Sequence, residues 1–187
     1  MIVNERGLIV GFETLRRRPV DPEGDAPLLH GWVQEDRAEF WGMQDHTQDD
    51  VRDTYGWISE QEHLTADIVE VDSEPLALVQ TYDPAVDEIG KHYDRQPGDL
   101  GIHLFMRPGA RPSGSLEALL AFFQRQLFAD PDVQRLVLEP DVRNEKSIAL
   151  VHRFADELGP VVELPHPVPG LPPKTAQFAF LHRPEGS

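Results

Sequence analysis

Gly98-Asp-Leu-Gly-Ile-His-Leu-Phe-Met106 is the stretch on which the fold turns. Residues 100–106 form an apolar run with one histidine, His103, inside it, and read as a strand. A Gly/Pro/Arg-rich turn (107–115) follows. Next comes a helix over 116–128, with Leu116, Leu119, Leu120, Phe123 and Leu127 on one apolar face. Asp130-Pro-Asp132 stops that helix, residues 134–139 return as a second strand, and Asp141 closes the run Val137-Leu-Glu-Pro-Asp141. A strand, a helix and a strand in this order form a crossover, which predicts two parallel neighbours in one sheet. His103 and Asp141 should then converge where those strands end.

Outward from this unit the pattern is mostly antiparallel. Upstream, residues 12–20 read as a strand ended by Pro19. A helix is expected over 25–33, a shorter helical piece over 37–43, and a helix over 49–61 with Val51, Tyr55 and Ile58 at helical spacing. Residues 66–71 and 76–82 flank the polar turn Asp72-Ser-Glu-Pro75 as a hairpin. Residues 83–98 read as a loop with at most one helical turn. Downstream, a helix is expected over 144–158, a strand over 161–164, a Pro-rich loop over 166–173 and a last strand over 175–181. The order predicts one α/β (α+β) domain over 1–187. Its sheet is mixed and mostly antiparallel, with one parallel strand pair and helices on both faces. Residues 1–9 read as a lead-in, with 1–8 either loose or a strand of their own, and 182–187 as a tail.

Composition narrows the partners. The chain has 187 residues, 40% hydrophobic and 27% charged, which supports a folded protein with a sizeable core. A net charge of −16 disfavours nucleic acid and anionic membranes and favours cationic small molecules, although a merely solvated acidic surface explains it as well. The absence of cysteine excludes disulfides, a thiolate zinc site and a cysteine acyl-enzyme. The histidines show no HExxH-like spacing, so no metal is expected. The first residues carry neither a basic n-region nor an apolar h-region, so no signal peptide is read and a cytoplasmic location is expected. No apolar run is long enough to span a membrane.

Two features carry chemistry. Gly109, Ala110, Ser113, Gly114 and Ser115 precede a helix, where free backbone N–H groups and the helix dipole favour an anion; Arg107 and Arg111 add positive charge. Alone, such a turn is more often only a turn. His103 and Asp141 are the second feature. An imidazole inside an apolar strand is by itself more often a core residue, and an aspartate before a helix more often a cap. Together, beside the candidate anion loop, they read as a general base with a carboxylate that holds the imidazole or binds the acceptor's hydroxyl or cationic end.

Arg111-Pro-Ser-Gly-Ser-Leu116 resembles the Arg/Gln-x-x-Gly-x-Gly/Ala phosphate loop of the Gcn5-related N-acetyltransferase (GNAT) superfamily, with Leu116 where Gly or Ala is preferred. Further stretches resemble the hydroxamate-siderophore acyltransferases of that superfamily. They are His30-Gly-Trp-Val33, Phe40-Trp-Gly-Met43, Gly98 to His103 and Glu139-Pro-Asp-Val-Arg-Asn144, supported by Tyr82-Asp-Pro-Ala85 and Phe128-Ala-Asp-Pro131. That branch includes aerobactin-type N-hydroxylysine acetyltransferases, mycobactin lysine acyltransferases and desferrioxamine-type N-hydroxycadaverine acyltransferases. The likeness runs over roughly residues 10–181.

The resemblance implies a GNAT-like fold and an acyl-CoA co-substrate, acetyl-CoA first. It implies His103 and Asp141 as catalytic residues. Coenzyme A contacts would come from Leu104, Phe105, Met106, Arg107, Arg111, Ser113, Gly114, Ser115, Asn144 and Lys146, with a strand N–H polarising the thioester carbonyl. Acceptor contacts would come from His30, Trp32, Phe40 and Trp41. Plainer readings stand beside these: Asn144 as a helix start, the aromatics as core, Arg143 and Lys146 as surface charges. Val151 lies near the place where many members carry an acid tyrosine, which leaves a water, His152 or no acid in that role. Asp156-Glu-Leu-Gly-Pro160 replaces the usual Gly-Phe helix end.

The expected activity is acyl transfer to an N-hydroxylated lysine or cadaverine-type amine in hydroxamate siderophore assembly. Siderophore-pathway enzymes are the possible protein partners, and neither nucleic acid nor membrane is expected. The alternatives are an acetyltransferase of another cationic amine such as an aminoglycoside, a non-catalytic acyl-CoA-binding module, and a structural subunit of a synthetase complex. The acyl chain, the exact acceptor and the oligomeric state are open.

Overall fold

The computed structural model describes residues 15–109, 115–164 and 173–184, and two short antiparallel strands, β1 (Ile2–Val3) and β2 (Ile9–Val10). The main sheet holds β3 (Leu15–Pro19), β4 (Leu64–Val71), β5 (Glu74–Tyr82), β6 (Asp99–Met106), β7 (Arg135–Leu138), β8 (Glu157–Leu164) and β9 (Lys174–His182). Its seven strands run in the order β3-β4-β5-β6-β7-β9-β8. Every pair is antiparallel except β6 and β7, the parallel pair expected from the crossover. The β4–β5 hairpin turns on two residues, Asp72 (φ 49°) and Ser73 (φ 71°). Left-handed conformation at both matches the twist of the flanking strands.

Strand alternation gives the sheet two apolar faces. On one face, Ile68, Leu78 and Phe105 lie under α1 (Pro22–Val33), a 3-10 helix (Asp36–Trp41) and α2 (Gln48–Ser59), through Leu29, Trp32, Val33, Val51, Tyr55 and Ile58. Thr47 and Asp50 cap α2 reciprocally, each side chain accepting from the other's backbone N–H. Along the same face a second cluster joins Tyr82, Val137, Phe178 and Phe180 to Ile89 of the 83–98 loop. The opposite face, with Val69, Val79, Ile102 and Leu136, is covered by Leu119, Phe122 and Phe123 of α3 (Ser115–Leu127). Each such side chain contributes about 1.5–3 kcal/mol by leaving water.

Most element boundaries shift by one to three residues, and the largest change is at α4 and β8. The helix expected over 144–158 is α4 (Glu145–Phe154), and the strand expected over 161–164 begins earlier, at Glu157. Ala155 is already extended, and Asp156 N–H donates to the Phe180 carbonyl. Gly159-Pro160, read as a separator between helix and strand, lies inside β8 where the register with β9 shifts between Leu158 and Val161. A Cβ on Gly159 would stand 2.6 Å from the Phe180 ring, so the bulge lets β8 run close over that ring. Residues 12–14 of the first expected strand and most of the 166–173 loop lie outside the described residues. No described helix is long and apolar enough to cross a membrane.

The feature that positions the site is a partial pairing. β6 and β7 pair only at Asp99–Arg135, Leu100–Leu136 and Gly101–Val137. β6 then continues to Met106, bonded to β5 on one side. Its other edge, from Ile102 to Met106, has no strand partner among the described residues.

Candidate active site

In the β6–β7 pair each residue faces the one 36 positions later. Two steps beyond the last pair, that register sets His103 opposite Glu139. The His103 Nε2 lies 2.5 Å from Glu139 Oε1. The Glu139 side chain is fully buried and has two more partners. Tyr82 Oη donates to Oε2 at 2.9 Å, and Lys174 Nζ lies 3.3 Å from Oε1 while donating to the Glu139 carbonyl at 2.9 Å. Burial pushes the Glu139 pKa up. The charges of His103 and Lys174, with the hydrogen bonds from His103 and Tyr82, outweigh it and hold the carboxyl at about 2. Burial and the neighbouring Glu139 charge raise the Tyr82 phenol well above its ordinary value, so it remains a donor.

Gly101 makes this arrangement possible. It is the register partner of Tyr82 on β5, and a Cβ there would stand 1.9 Å from the Tyr82 ring. The phenol crosses over β6 at this bare position to reach the carboxylate beyond. Next to it, the His103 ring lies between Tyr82 (centroids 5.1 Å apart, tilted) and Trp41 (6.4 Å, edge-on), with its side chain 29% exposed. Trp41 stacks on Phe105 at 4.9 Å, and the Arg37 guanidinium lies 4.8 Å from the same ring. Asp87 of the 83–98 loop is close enough to interact with both His103 and Glu139; burial first, then the Glu139 charge, raises its pKa.

The predicted site residues separate into groups. His103 is at the fork, and Trp41 walls it. No hydrogen bond joins His103 to Asp141. The Asp141 carboxylate, 5% exposed, accepts from Arg143 N, Nε and Nη2 at 2.9, 2.9 and 2.6 Å, and these bonds lower its pKa. Arg143 also lies 5.7 Å from the Phe40 ring, which links the 3-10 helix to the turn before α4. Trp32 is 5% exposed and packs edge-on against Phe105. His30 Nε2 lies 3.2 Å from the His46 carbonyl, tying α1 to the loop before α2.

Of the positions expected to meet coenzyme A, Leu104 and Met106 pack on the α3 side and Phe105 on the α1 side. Arg107 N–H donates to the Leu76 carbonyl at 2.8 Å, and its Nε is buried with no hydrogen-bond partner among the described residues. Asn144 accepts from Ser147 N at 3.2 Å as the cap of α4, and Lys146 is exposed. Ser115 begins α3. Arg111, Ser113 and Gly114, with Ala110, lie outside the described residues. Among the described residues no group of three His, Asp or Glu has metal-binding geometry.

Sequence reading passed over Glu139, Tyr82, Lys174 and Asp87. Glu139 and Tyr82 stand inside stretches already singled out, but only the strand register tells Glu139 from Asp141 as the partner of His103. Lys174 comes from β9, with no local signal.

A parallel pair that opens toward an imidazole, in a sheet of this order, has known relatives. Residues 21–164 match the family model described as an acetyltransferase (GNAT) domain. The chain belongs to this family. It is 29% identical over 132 residues to the N(6)-hydroxylysine O-acetyltransferase of Escherichia coli, covering 69% of this chain and 42% of that protein. It is 27% identical over 150 residues to the lysine N-acyltransferase MbtK of a Mycobacterium strain, covering 71% and 55%. The chain thus spans about half the length of the curated relatives it matches. Among solved structures, an uncharacterized Bacillus halodurans protein superposes with a TM-score of 0.79 at 25% identity, covering 90% of this chain and 84% of that one. The acetyltransferase AAC(6')-Ib, in complex with ribostamycin and coenzyme A, gives 0.74 at 22% identity, covering 91% and 94%. At that identity the likeness speaks for the fold alone.

Proposed function

We propose that this GNAT chain is an acyl-CoA-dependent N-acyltransferase that transfers an acyl group, acetyl in the first instance, to an N-hydroxylated lysine or cadaverine-type amine. The observation that carries the reading is the His103 imidazole, held at the open end of the β6–β7 fork by a buried carboxylate and walled by Tyr82 and Trp41. The edge of β6 from Ile102 to Met106, unpaired among the described residues, offers backbone N–H groups to a thioester carbonyl. The buried Nε of Arg107, without a hydrogen-bond partner among the described residues, fits an anionic coenzyme arm.

The chemistry asks little of the base. A hydroxylamine nitrogen is largely neutral near pH 7, so the site's main work is to hold it against the thioester. The nitrogen attacks the carbonyl carbon, the C–N bond forms and the C–S bond breaks. His103 takes the proton lost by nitrogen, and the thiolate leaves as a thiol once a proton returns to it. Asp141 is the second proposed catalytic residue. With the imidazole already held by Glu139, its part is to bind the hydroxyl or ammonium of the acceptor in exchange for Arg143. The net charge of −16 suits a cationic acceptor. The names of the relatives point the same way: hydroxylysine, lysine, and the hydroxyputrescine of an Acinetobacter baumannii acetyltransferase 25% identical over 80 residues. A place in hydroxamate siderophore assembly follows from such an acceptor.

The test is an acceptor panel with free-thiol readout, using acetyl-CoA and the wild-type and His103→Ala chains. The expected result is turnover on N6-hydroxylysine or N-hydroxycadaverine, and a loss in His103→Ala of about 10²–10⁴ in kcat. Turnover confined to aminoglycosides, or full activity in His103→Ala, overturns the proposal.

A further inference from the structure

We propose that Glu139, not Asp141, is the positioning residue that fixes the tautomer of His103 and thereby makes Nδ1 the nitrogen that accepts the proton; the inference rests on the acyl-transfer reading above. The juxtaposition is a fully buried carboxylate across the fork from a part-exposed imidazole. An ionised carboxylate only accepts hydrogen bonds. Glu139 is ionised: the Lys174 ammonium stands 3.3 Å from Oε1 and the Tyr82 hydroxyl donates to Oε2, and both neighbours lower its pKa. Two of its partners, the Tyr82 hydroxyl and the Lys174 ammonium, are donors. The third, His103 Nε2, must therefore carry a hydrogen as well. A neutral imidazole has one N–H, so the lone pair belongs to Nδ1.

The ring is not free to reverse this assignment. Turning it over would set a C–H against the buried anion. The Tyr82 and Trp41 rings flank it at 5.1 and 6.4 Å. When Nδ1 takes the proton from the acceptor nitrogen, the imidazolium that forms already has its other N–H on Glu139. When the proton leaves for the thiolate, the ring returns to the same tautomer, and Glu139 neither gains nor loses a proton. Lys174 keeps the carboxylate charged through the cycle, and it also bonds the Glu139 main chain. Asp141 takes no part in this: its carboxylate is held by Arg143.

The test reads the tautomer directly. The full chain is labelled with 15N-histidine, and long-range 1H–15N spectra are recorded at pH 8, with His103 assigned by the signal missing from His103→Ala. The expected wild-type spectrum shows Nε2 protonated and Nδ1 bearing the lone pair. In Glu139→Gln the two nitrogens are expected to move toward a mixture of tautomers. There kcat falls on the order of 10²-fold or more, by analogy with carboxylates that orient a catalytic imidazole, while KM for acyl-CoA stays within about twofold, since nothing that meets coenzyme A has changed. A wild-type proton on Nδ1 overturns the proposal without recourse to any variant, as does a folded Glu139→Gln chain that keeps both tautomer and kcat. Should Glu139→Gln fail to fold, Tyr82→Phe leaves the carboxylate in place and must keep the Nε2–H form; loss of it overturns the proposal. A chain that turns over no acceptor refutes the acyl-transfer reading instead, and the spectra still decide the tautomer.

Discussion

The two ends of the β6–β7 pair are built from the same parts in opposite order. At the closed end Asp99 on β6 meets Arg135 on β7; at the open end His103 on β6 meets Glu139 just past β7. Both pairs obey the 36-residue register, and in both a tyrosine donates to the acid, Tyr93 to Asp99 and Tyr82 to Glu139. The difference lies in the base and in its access to water. Arg135 grips Asp99 with Nε and Nη2 at 2.7 and 2.8 Å, lies 4.2 Å from the Phe180 ring, and has a side chain only 11% exposed. A guanidinium does not titrate in the working range, so this end is a strut. His103 is 29% exposed and can gain or lose a proton, so the other end can do chemistry. One scaffold therefore yields a fixed joint where the strands pair and, on the proposed function, a reactive joint where they do not.

Breaking the strut is the sharpest way to test that division. Arg135→Met leaves Asp99, its side chain 1% exposed, as a buried anion with only Tyr93 and the Gln96 N–H for company. Loss of one partner from a buried pair costs about 3–5 kcal/mol, which urea unfolding will read as a lower midpoint at unchanged slope. Turnover per folded molecule should not change. If kcat falls with the stability retained, the closed end is part of the site and the contrast fails.

Acid separates the two ends next. The Glu139 pKa is depressed, from 4.5 to about 2, so its contribution is complete above about pH 5 and is lost as pH falls toward 2. The shift corresponds to about 3 kcal/mol. The stability difference between wild type and Glu139→Gln should therefore shrink by about that amount between pH 5 and 2. A difference that stays constant over this range would mean that Glu139 carries no depressed pKa, and the charged network at the open end would have to be abandoned.

How much of this was legible beforehand follows from what each feature depends on. The parallel pair, the hairpin at Asp72-Ser73 and the helices over the sheet rest on local periodicity and turn chemistry, which the sequence displays directly. His103 was legible as an interrupted apolar strand. Its partner was not. Glu139 and Asp141 stand two positions apart on one short segment, and choosing between them requires the strand register, which a 28-residue interval between strands does not encode. Asp141 had the louder local signal because it stands just before a helix start, and its bonds to Arg143 N and Nε show it holding the turn ahead of the Asn144 cap. Gly159-Pro160 misled for a related reason: the pair marks turns and bulges alike, and only the neighbouring Phe180 ring on β9 selects the bulge.

Gly101 is the hinge of the comparison, since it is the last residue of β6 paired with β7 and the place where Tyr82 crosses. Gly101→Ala sets a methyl 1.9 Å from the ring. Overpacking of this kind costs about 1–3 kcal/mol, and here the ring can escape only by withdrawing its hydroxyl from Glu139. Both stability and kcat should fall together, whereas Arg135→Met lowers stability alone. Loss of stability with full kcat would show that the Tyr82 bond is not needed to hold the open end in place.

The smallest expected effect serves as the control. Ser73, at φ 71°, occupies a left-handed position in the β4–β5 turn, at the strand ends remote from the Tyr82–Gly101 pairing. Glycine adopts that conformation without the Cβ penalty that serine bears. Against this gain stands the wider freedom of glycine in the unfolded chain, worth about 0.4–1 kcal/mol. A strained left-handed residue costs about 1 kcal/mol or more, so the net change in Ser73→Gly should be a stabilisation of under about 1 kcal/mol. A thermal melt will register it, and kcat should not move. Rising stability with constant turnover would show that activity does not track global stability, which is the assumption on which the contrast between strut and reactive joint rests.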